Sequence, residues 1–173
     1  MDLDALRLAV TEFVRDHAAW APVIVGLLAF GESLAVLSLF IPATVMLVGI
    51  GALVGASDIA FLPVVAAAAV GASLGDWVSY EVGRHYEHGV KGLWPLSRYP
   101  ALMATGEAFF HRWGVWAVVI GRFFGPARAV VPLVAGVFEL KRVPFQIANV
   151  GSAIAWAFAM LAPGAGLAEW LRS

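Results

Sequence analysis

Residues 121–136 read GRFFGPARAVVPLVAG. The stretch is apolar apart from Arg122 and Arg128, and Pro126 and Pro132 each stand four positions after one of those arginines. In an intact helix, six residues of separation leave two side chains about 120° apart, so the guanidinium groups would not share a face. Gly125 and Pro126 lie between them, and proline has no N–H to give the carbonyl four residues back. A turn at Gly125-Pro126 would bring both arginines to one cavity and leave the carbonyls of Arg122 and Arg128 seeking polar partners. Broken backbone of that kind is tolerated at membrane depth only where protein or a polar cavity surrounds it.

Composition places the stretch at that depth. Of 173 residues, 61% are hydrophobic and only 13% charged, with a mean hydropathy of +0.85. Soluble domains carry about 25% charged residues, so this is a single-domain integral membrane protein. The net charge of −1 offers no basic field for nucleic acid. Without cysteine there is no disulfide or thiol chemistry. His17, His85, His88 and His111 are scattered and complete no ligand set, so no metal or cofactor is expected. The opening residues MDLDALRLAV put acids before the apolar positions, unlike a signal peptide. Leu3, Leu6, Val10, Phe13 and Val14 follow helical spacing. They predict an amphipathic helix over 1–17, either lying at the membrane interface or capping the membrane domain.

Uncharged runs divide the rest. Residues 18–80 form a first half, 81–112 a polar loop with a second interfacial helix, and 113–170 a second half. Residues 59 to about 80 and 143–168 are apolar over the length a spanning helix needs. The run LFIPATVMLVGIGALVGAS at 39–57 is long enough, but Pro42, Gly49, Gly51 and Gly55 make it a poor straight helix. The segment 113–138, with Gly114, Gly121, Gly125, Pro126, Pro132 and Gly136, has the same character. FIPATVMLVGIGA and FGPARAVVPLVAGV each begin with a proline turn, and each is followed by a longer apolar helix. The order predicts an all-α membrane fold. Two re-entrant broken hairpins are each followed by a transmembrane helix, as a pseudo-inverted repeat of the kind transporters use. Arg84, Lys91, Arg98 and Arg112 place the central loop in the cytoplasm. Gly71, Gly75, Ser79 and Gly83, and likewise Gly151, Ala155 and Ala159, recur every four positions and read as helix-packing stripes.

Four ionisable residues sit in or beside these segments: Glu32, Asp76, Arg122 and Arg128. A charge at a helix centre costs roughly 2.5–3.5 kcal/mol on insertion scales, so such groups face the interior and pair. Glu32 neutralises one arginine in this reading. The second stays available for an anion, and arginine's planar fork suits phosphate. Glu32 and Asp76 are the candidate proton carriers.

At these residues the chain resembles the DedA family of bacterial inner-membrane proteins, related to the eukaryotic VTT-domain lipid scramblases. GESLAVLSLFIPATVMLVGIGAL, GASLGDWVSYEVGR, GRFFGPARAVVPLVAG and NVGSAIAW carry the resemblance from about residue 30 to 156. It implies that Glu32, Arg122 and Arg128 are the functional charges. It implies that Gly75, Asp76, Tyr80, Gly83 and Arg84 form a second motif, and that Asn149 helps shape the site. Thr44 stands where many members carry a second acidic residue, which weakens a two-carboxylate coupling scheme and leaves Glu32 as the main candidate. The implied activity is movement of a lipid phosphate, above all undecaprenyl phosphate, across the bacterial inner membrane.

The expected protein is therefore a multi-pass, non-enzymatic lipid transporter or flippase. Arg122, Arg128 and Glu32 bind the headgroup. Pro42, Thr44, Gly49, Gly75, Tyr80, Gly83, Arg84, Gly121, Gly125, Pro126, Pro132, Gly136 and Asn149 shape the site. Its partners are a membrane lipid phosphate and protons or another coupling ion, with homo-oligomers allowed. A proton-driven transporter of a small ion or solute and a membrane lipid-phosphate phosphatase are the alternatives.

Overall fold

The structure, a computed structural model, describes residues 18–34, 43–56, 59–86, 108–124 and 127–170. The proposed interfacial helix over 1–17, most of the polar loop, and Pro42, Gly125 and Pro126 lie outside the described residues.

The described chain is all-helical, as composition and segment pattern predict. After a 3₁₀ turn at Ala18–Trp20 come α1 (Ala21–Ser33), α2 (Ala43–Ala56) and α3 (Phe61–His85). A short helical piece at 108–113 precedes α4 (Trp116–Arg122), α5 (Ala127–Val137) and α6 (Arg142–Trp170). Pro22 near the start of α1 costs nothing, because the first N–H groups of a helix have no partner inside it. Pro132 and Pro163 sit inside α5 and α6. The helix α3 runs through Glu81 to His85, which charge assigns to the polar loop. One reason is that Arg84 bonds Tyr80 one turn back, at 3.1 Å.

Among the described residues, two helices, Phe61–His85 and Arg142–Gly166, are long and apolar enough to cross a membrane. They form the centre of the molecule and run antiparallel: Phe61 meets Phe158, and Tyr80 stacks on Phe145 with ring centroids 4.1 Å apart. Around them α1 and α5 pack on α3, while α2 and α4 pack on α6. Gly26 lies against Gly71 and Ala67, and Phe30 against Gly75, so α1 runs parallel to α3. Gly51 faces Leu161 and Gly55 faces Ala165, so α2 runs parallel to α6. Because α3 and α6 are antiparallel, α2 reverses the direction of α1.

Small residues permit these crossings. A Cβ on Gly71 would collide with the carbonyl of Gly26, and one on Gly136 with the carbonyl of Tyr80. The stripe Gly71, Gly75, Ser79, Gly83 packs as its spacing predicts. The stripe on α6 does not: Gly151, Ala155 and Ala159 are all exposed, and a Cβ at Gly151 would meet nothing within 4 Å. Gly49 is likewise open, and the close α2–α6 contacts belong to Gly51 and Gly55 instead.

Two apolar clusters result. One joins α1, α2, the first half of α3 and the second half of α6, around Val25, Leu47, Val64 and Leu161. The other joins the end of α3, α4, α5 and the start of α6, around Tyr80, Val118, Val134 and Phe145. The outside carries exposed Leu27, Leu53, Leu62, Leu74, Ile147, Ile154 and Phe158. A helix that is apolar on its exposed face as well as its packed face belongs in lipid.

Candidate functional site

Between the two apolar clusters lies a polar layer. On α3 it falls between Ala72 and Tyr80, and on α6 between Phe145 and Ala157. Its charged members are Glu32, Asp76, Arg122 and Arg128, each at most 9% exposed. Helix ends deliver three of them: Glu32 closes α1, Arg122 closes α4 and Arg128 begins α5. Asp76 comes from the body of α3.

Arg122 makes an ion pair through Nη2 with Asp76 Oδ2. The same nitrogen donates to Asn149 Oδ1 at 2.6 Å, and Nε donates to Ser152 Oγ at 2.9 Å. Asn149 is itself held: its Nδ2 donates to the Ser73 carbonyl at 2.9 Å and to Gln146 Oε1 at 3.3 Å, which turns its oxygen towards Arg122. Ser152 donates to the Asn149 carbonyl at 3.1 Å. Each acceptor around this guanidinium is thus oriented by a further bond.

Arg128 donates from Nη1 to Glu32 Oε1 at 2.8 Å and from Nη2 to Ser33 Oγ at 3.5 Å. Its guanidinium carbon lies 4.1 Å from the centre of the Trp156 ring, a cation–π contact. Ser33 ties the halves together, because its carbonyl accepts from Ser79 of α3 at 3.2 Å and Asp76 has both Ser33 and Arg128 among its neighbours. The two arginines therefore share one buried network.

The charge count differs from the sequence reading. In the sequence Glu32 balances one arginine and leaves the other free for an anion unless Asp76 reaches the cavity. Asp76 lies well inside the bundle, at 4% exposure, and pairs with Arg122. Two cations and two carboxylates give a neutral cluster. Burial forces this, since an uncompensated charge in the interior costs several kcal/mol.

The remaining predicted positions divide by place. Gly75 lies where a Cβ would touch the Phe30 carbonyl and Ser33 Cβ at 2.6 and 2.7 Å, so it admits the end of α1 beside Asp76. Gly121 packs on Val131, where a Cβ would meet Cγ2 at 2.6 Å, drawing α4 onto α5 next to Arg122. Pro132 is buried in α5, one turn from Arg128. Asn149 binds Arg122 directly, a larger part than shaping the site. Tyr80, Gly83, Arg84 and Gly136 stand elsewhere, at the α3–α5 crossing. Tyr80 donates its hydroxyl to the Leu140 carbonyl, Arg84 Nη1 reaches the same carbonyl at 3.4 Å, and both clamp the α5–α6 connector. Gly49 is away from the network, on an exposed face of α2. Thr44 lies in the first turn of α2.

Sequence reasoning missed Ser33, Ser152 and Trp156. Ser33 follows Glu32 directly, and Ser152 and Trp156 fall inside NVGSAIAW, but a serine or tryptophan in an apolar run signals nothing until an arginine is placed beside it.

The family model for the VTT domain matches residues 41–166. The chain is 30% identical over 159 residues to the inner membrane protein YabI of Escherichia coli strain K12, covering 92% of this chain and 63% of that protein. It is 26% identical over 155 residues to the uncharacterized membrane protein BU139 of Buchnera aphidicola subsp. Acyrthosiphon pisum, covering 90% and 60%. It is 36% identical over 120 residues to the inner membrane protein YghB of Escherichia coli strain K12, covering 68% and 54%. The chain thus spans less than two thirds of the length of these relatives. No solved structure matches it.

Proposed function

The chain belongs to the VTT-domain (DedA) family, and from that premise we propose that it moves a lipid phosphate across the bacterial inner membrane, with undecaprenyl phosphate as the leading substrate. The observation that carries this reading is the buried network of two arginines and two carboxylates inside a chain whose outside is apolar. Such charges are expensive at membrane depth and mark ion or substrate pathways. Arginine's fork binds phosphate oxygens in pairs.

The neutral charge count supplies the coupling. A phosphate monoester brings about −1.5 to −2 charges at pH 7. To contact Arg122 or Arg128 it displaces Asp76 or Glu32, and the displaced carboxylate, still buried, takes up a proton. Substrate binding and proton uptake are then one event, with two carboxylates available even though Thr44 is not acidic.

Residues 43–56 of the first expected broken segment form one helix, so in this reading the re-entrant units are the pairs α1 with α2 and α4 with α5. At 13 and 14 residues, α1 and α2 are each about 20 Å long, short of the roughly 30 Å hydrocarbon core. The pairs α1 on α3 and α2 on α6 have counterparts in α4 on α6 and α5 on α3. Pro42-Ala43-Thr44 recurs as Pro126-Ala127-Arg128, and Gly31-Glu32 as Gly121-Arg122. These parallels support an inverted repeat, whose first half contributes carboxylates and whose second contributes arginines.

Transport is preferred to lipid-phosphate hydrolysis because the described histidines, His85 and His111, are exposed while the arginines are buried. The test is reconstitution in vesicles with a fluorescent polyprenyl phosphate, following its movement between leaflets. The expected result is transfer that Arg122→Ala and Arg128→Ala each abolish. A rate equal to that of empty vesicles sinks the proposal. Inhibition by free phosphate without lipid movement favours the small-ion reading.

A further inference from the structure

A groove of about 520 Å³ runs along the outside of the molecule between α4 and α6. Its walls are apolar, with Trp116, Val119 and Phe123 on one side and Ile147 and Ala155 on the other. Gly151 also lines it, and a Cβ there would meet no protein atom within 4 Å. The exposed stripe on α6 thus makes a channel wall where helix packing is expected. Among the lining residues is Ser152, only 4% exposed, whose hydroxyl accepts the hydrogen bond from Arg122 Nε. The apolar groove therefore abuts the arginine network through Ser152. Trp116 and Phe123 are 64% and 51% exposed, on a surface that faces lipid.

We propose that this groove holds the hydrocarbon chain of the lipid phosphate while its headgroup occupies the Arg122 site. The inference rests on the lipid-phosphate reading and adds where the chain lies. The occupant follows from the two ends of the site: a cation at the inner end selects an anion, and an uncharged open trough in a lipid-facing surface selects an alkyl or prenyl chain. The volume lies within the range of about 300–1,000 Å³ typical of ligand pockets. A chain lying in the groove stays in contact with the bilayer through its open side, so only the headgroup is withdrawn from water and lipid. Gly151 is the specificity-determining position, since any larger side chain there projects into the trough.

The test uses the full chain in phosphatidylcholine vesicles doped with a polyprenyl monophosphate that carries a photoactivatable diazirine on its chain. Cross-links are expected on α4 and α6 around Val119 and Ile147. Gly151→Leu places its Cβ in open space and its branched end in the groove, so it is expected to lose those cross-links and the transfer between leaflets. Gly151→Ala is expected to weaken both and serves if the leucine variant does not fold. In parallel, thermal stabilisation by butyl phosphate, which has almost no chain, is expected to be equal in the parent and in Gly151→Leu. Cross-links on other faces, or undiminished cross-linking and transfer in both Gly151 variants, overturn the groove while leaving the arginine site standing. A parent protein that butyl phosphate does not stabilise and that moves no lipid overturns the underlying function as well.

Discussion

At the scale of single residues, Arg122 is held on three sides. Its partners Asp76, Asn149 and Ser152 come from α3 and α6, and Ser73 holds Asn149 from behind. Removing one member of a buried pair strands the other charge, which costs about 3–5 kcal/mol. Asp76→Asn should therefore lower the unfolding temperature in detergent sharply, and Arg122→Gln should do the same. The double variant should be far less damaged than the sum of the two, because no charge is stranded; strict additivity would mean that the pair does not exist. Arg128 is held differently, by Glu32 and by the face of Trp156. Trp156→Leu should cost on the order of 1–2 kcal/mol beyond its lost area, from the desolvated cation–π contact. If Trp156→Leu costs the same in an Arg128→Met background as in the parent, the ring is only packing. The arginines and Glu32 are legible in the sequence because charge inside an apolar run is costly unless it reaches the interface or a partner. Trp156 is not, since an aromatic residue in a membrane helix is ordinary.

At the scale of elements, glycine decides which helices touch. Backbone meets backbone at Gly71–Gly26, Gly51–Leu161 and Gly136–Tyr80. Overpacking such a contact costs typically 1–3 kcal/mol, more where backbone cannot retreat. Gly136→Leu and Gly51→Leu should thus abolish a sharp thermal transition, whereas Gly49→Ala, which points into open space, should leave it unchanged. Equal loss in all three would remove the distinction drawn between packed and open glycines. The α5–α6 connector includes Glu139, a non-glycine residue at φ 51°, and is pinned by Tyr80 and Arg84. Tyr80→Phe removes two hydrogen bonds, the one given to Leu140 and the one accepted from Arg84, and should cost about 2 kcal/mol, read as faster amide exchange around Leu140. Four-residue spacing of small side chains finds both kinds of stripe and cannot separate them. Packing on α3 and exposure on α6 differ only in whether another helix arrives, and that is a tertiary fact.

At the scale of the whole molecule, the neutral charge layer between two apolar clusters governs how the protein responds to pH. If binding a phosphate displaces a carboxylate that then takes a proton, the apparent affinity should weaken by up to about tenfold per pH unit as pH rises. Calorimetry of butyl phosphate binding in buffers of different ionisation enthalpy measures the protons taken up; a value of zero would remove the coupling mechanism. The sequence by itself determined the solvent, the helical class, the long apolar helices and three of the four charges that the fold buries together. Those follow from composition, run length and the cost of charge in hydrocarbon, which are properties of the chain at short range. Only the tertiary structure decided that Asp76 faces Arg122, that the cluster is neutral, that Tyr80 and Arg84 serve a connector and that Gly151 lies open. Each of those depends on which helix lies beside which. That depends on the meeting of surfaces more than forty residues apart, where the periodicity of one segment carries no information about the other.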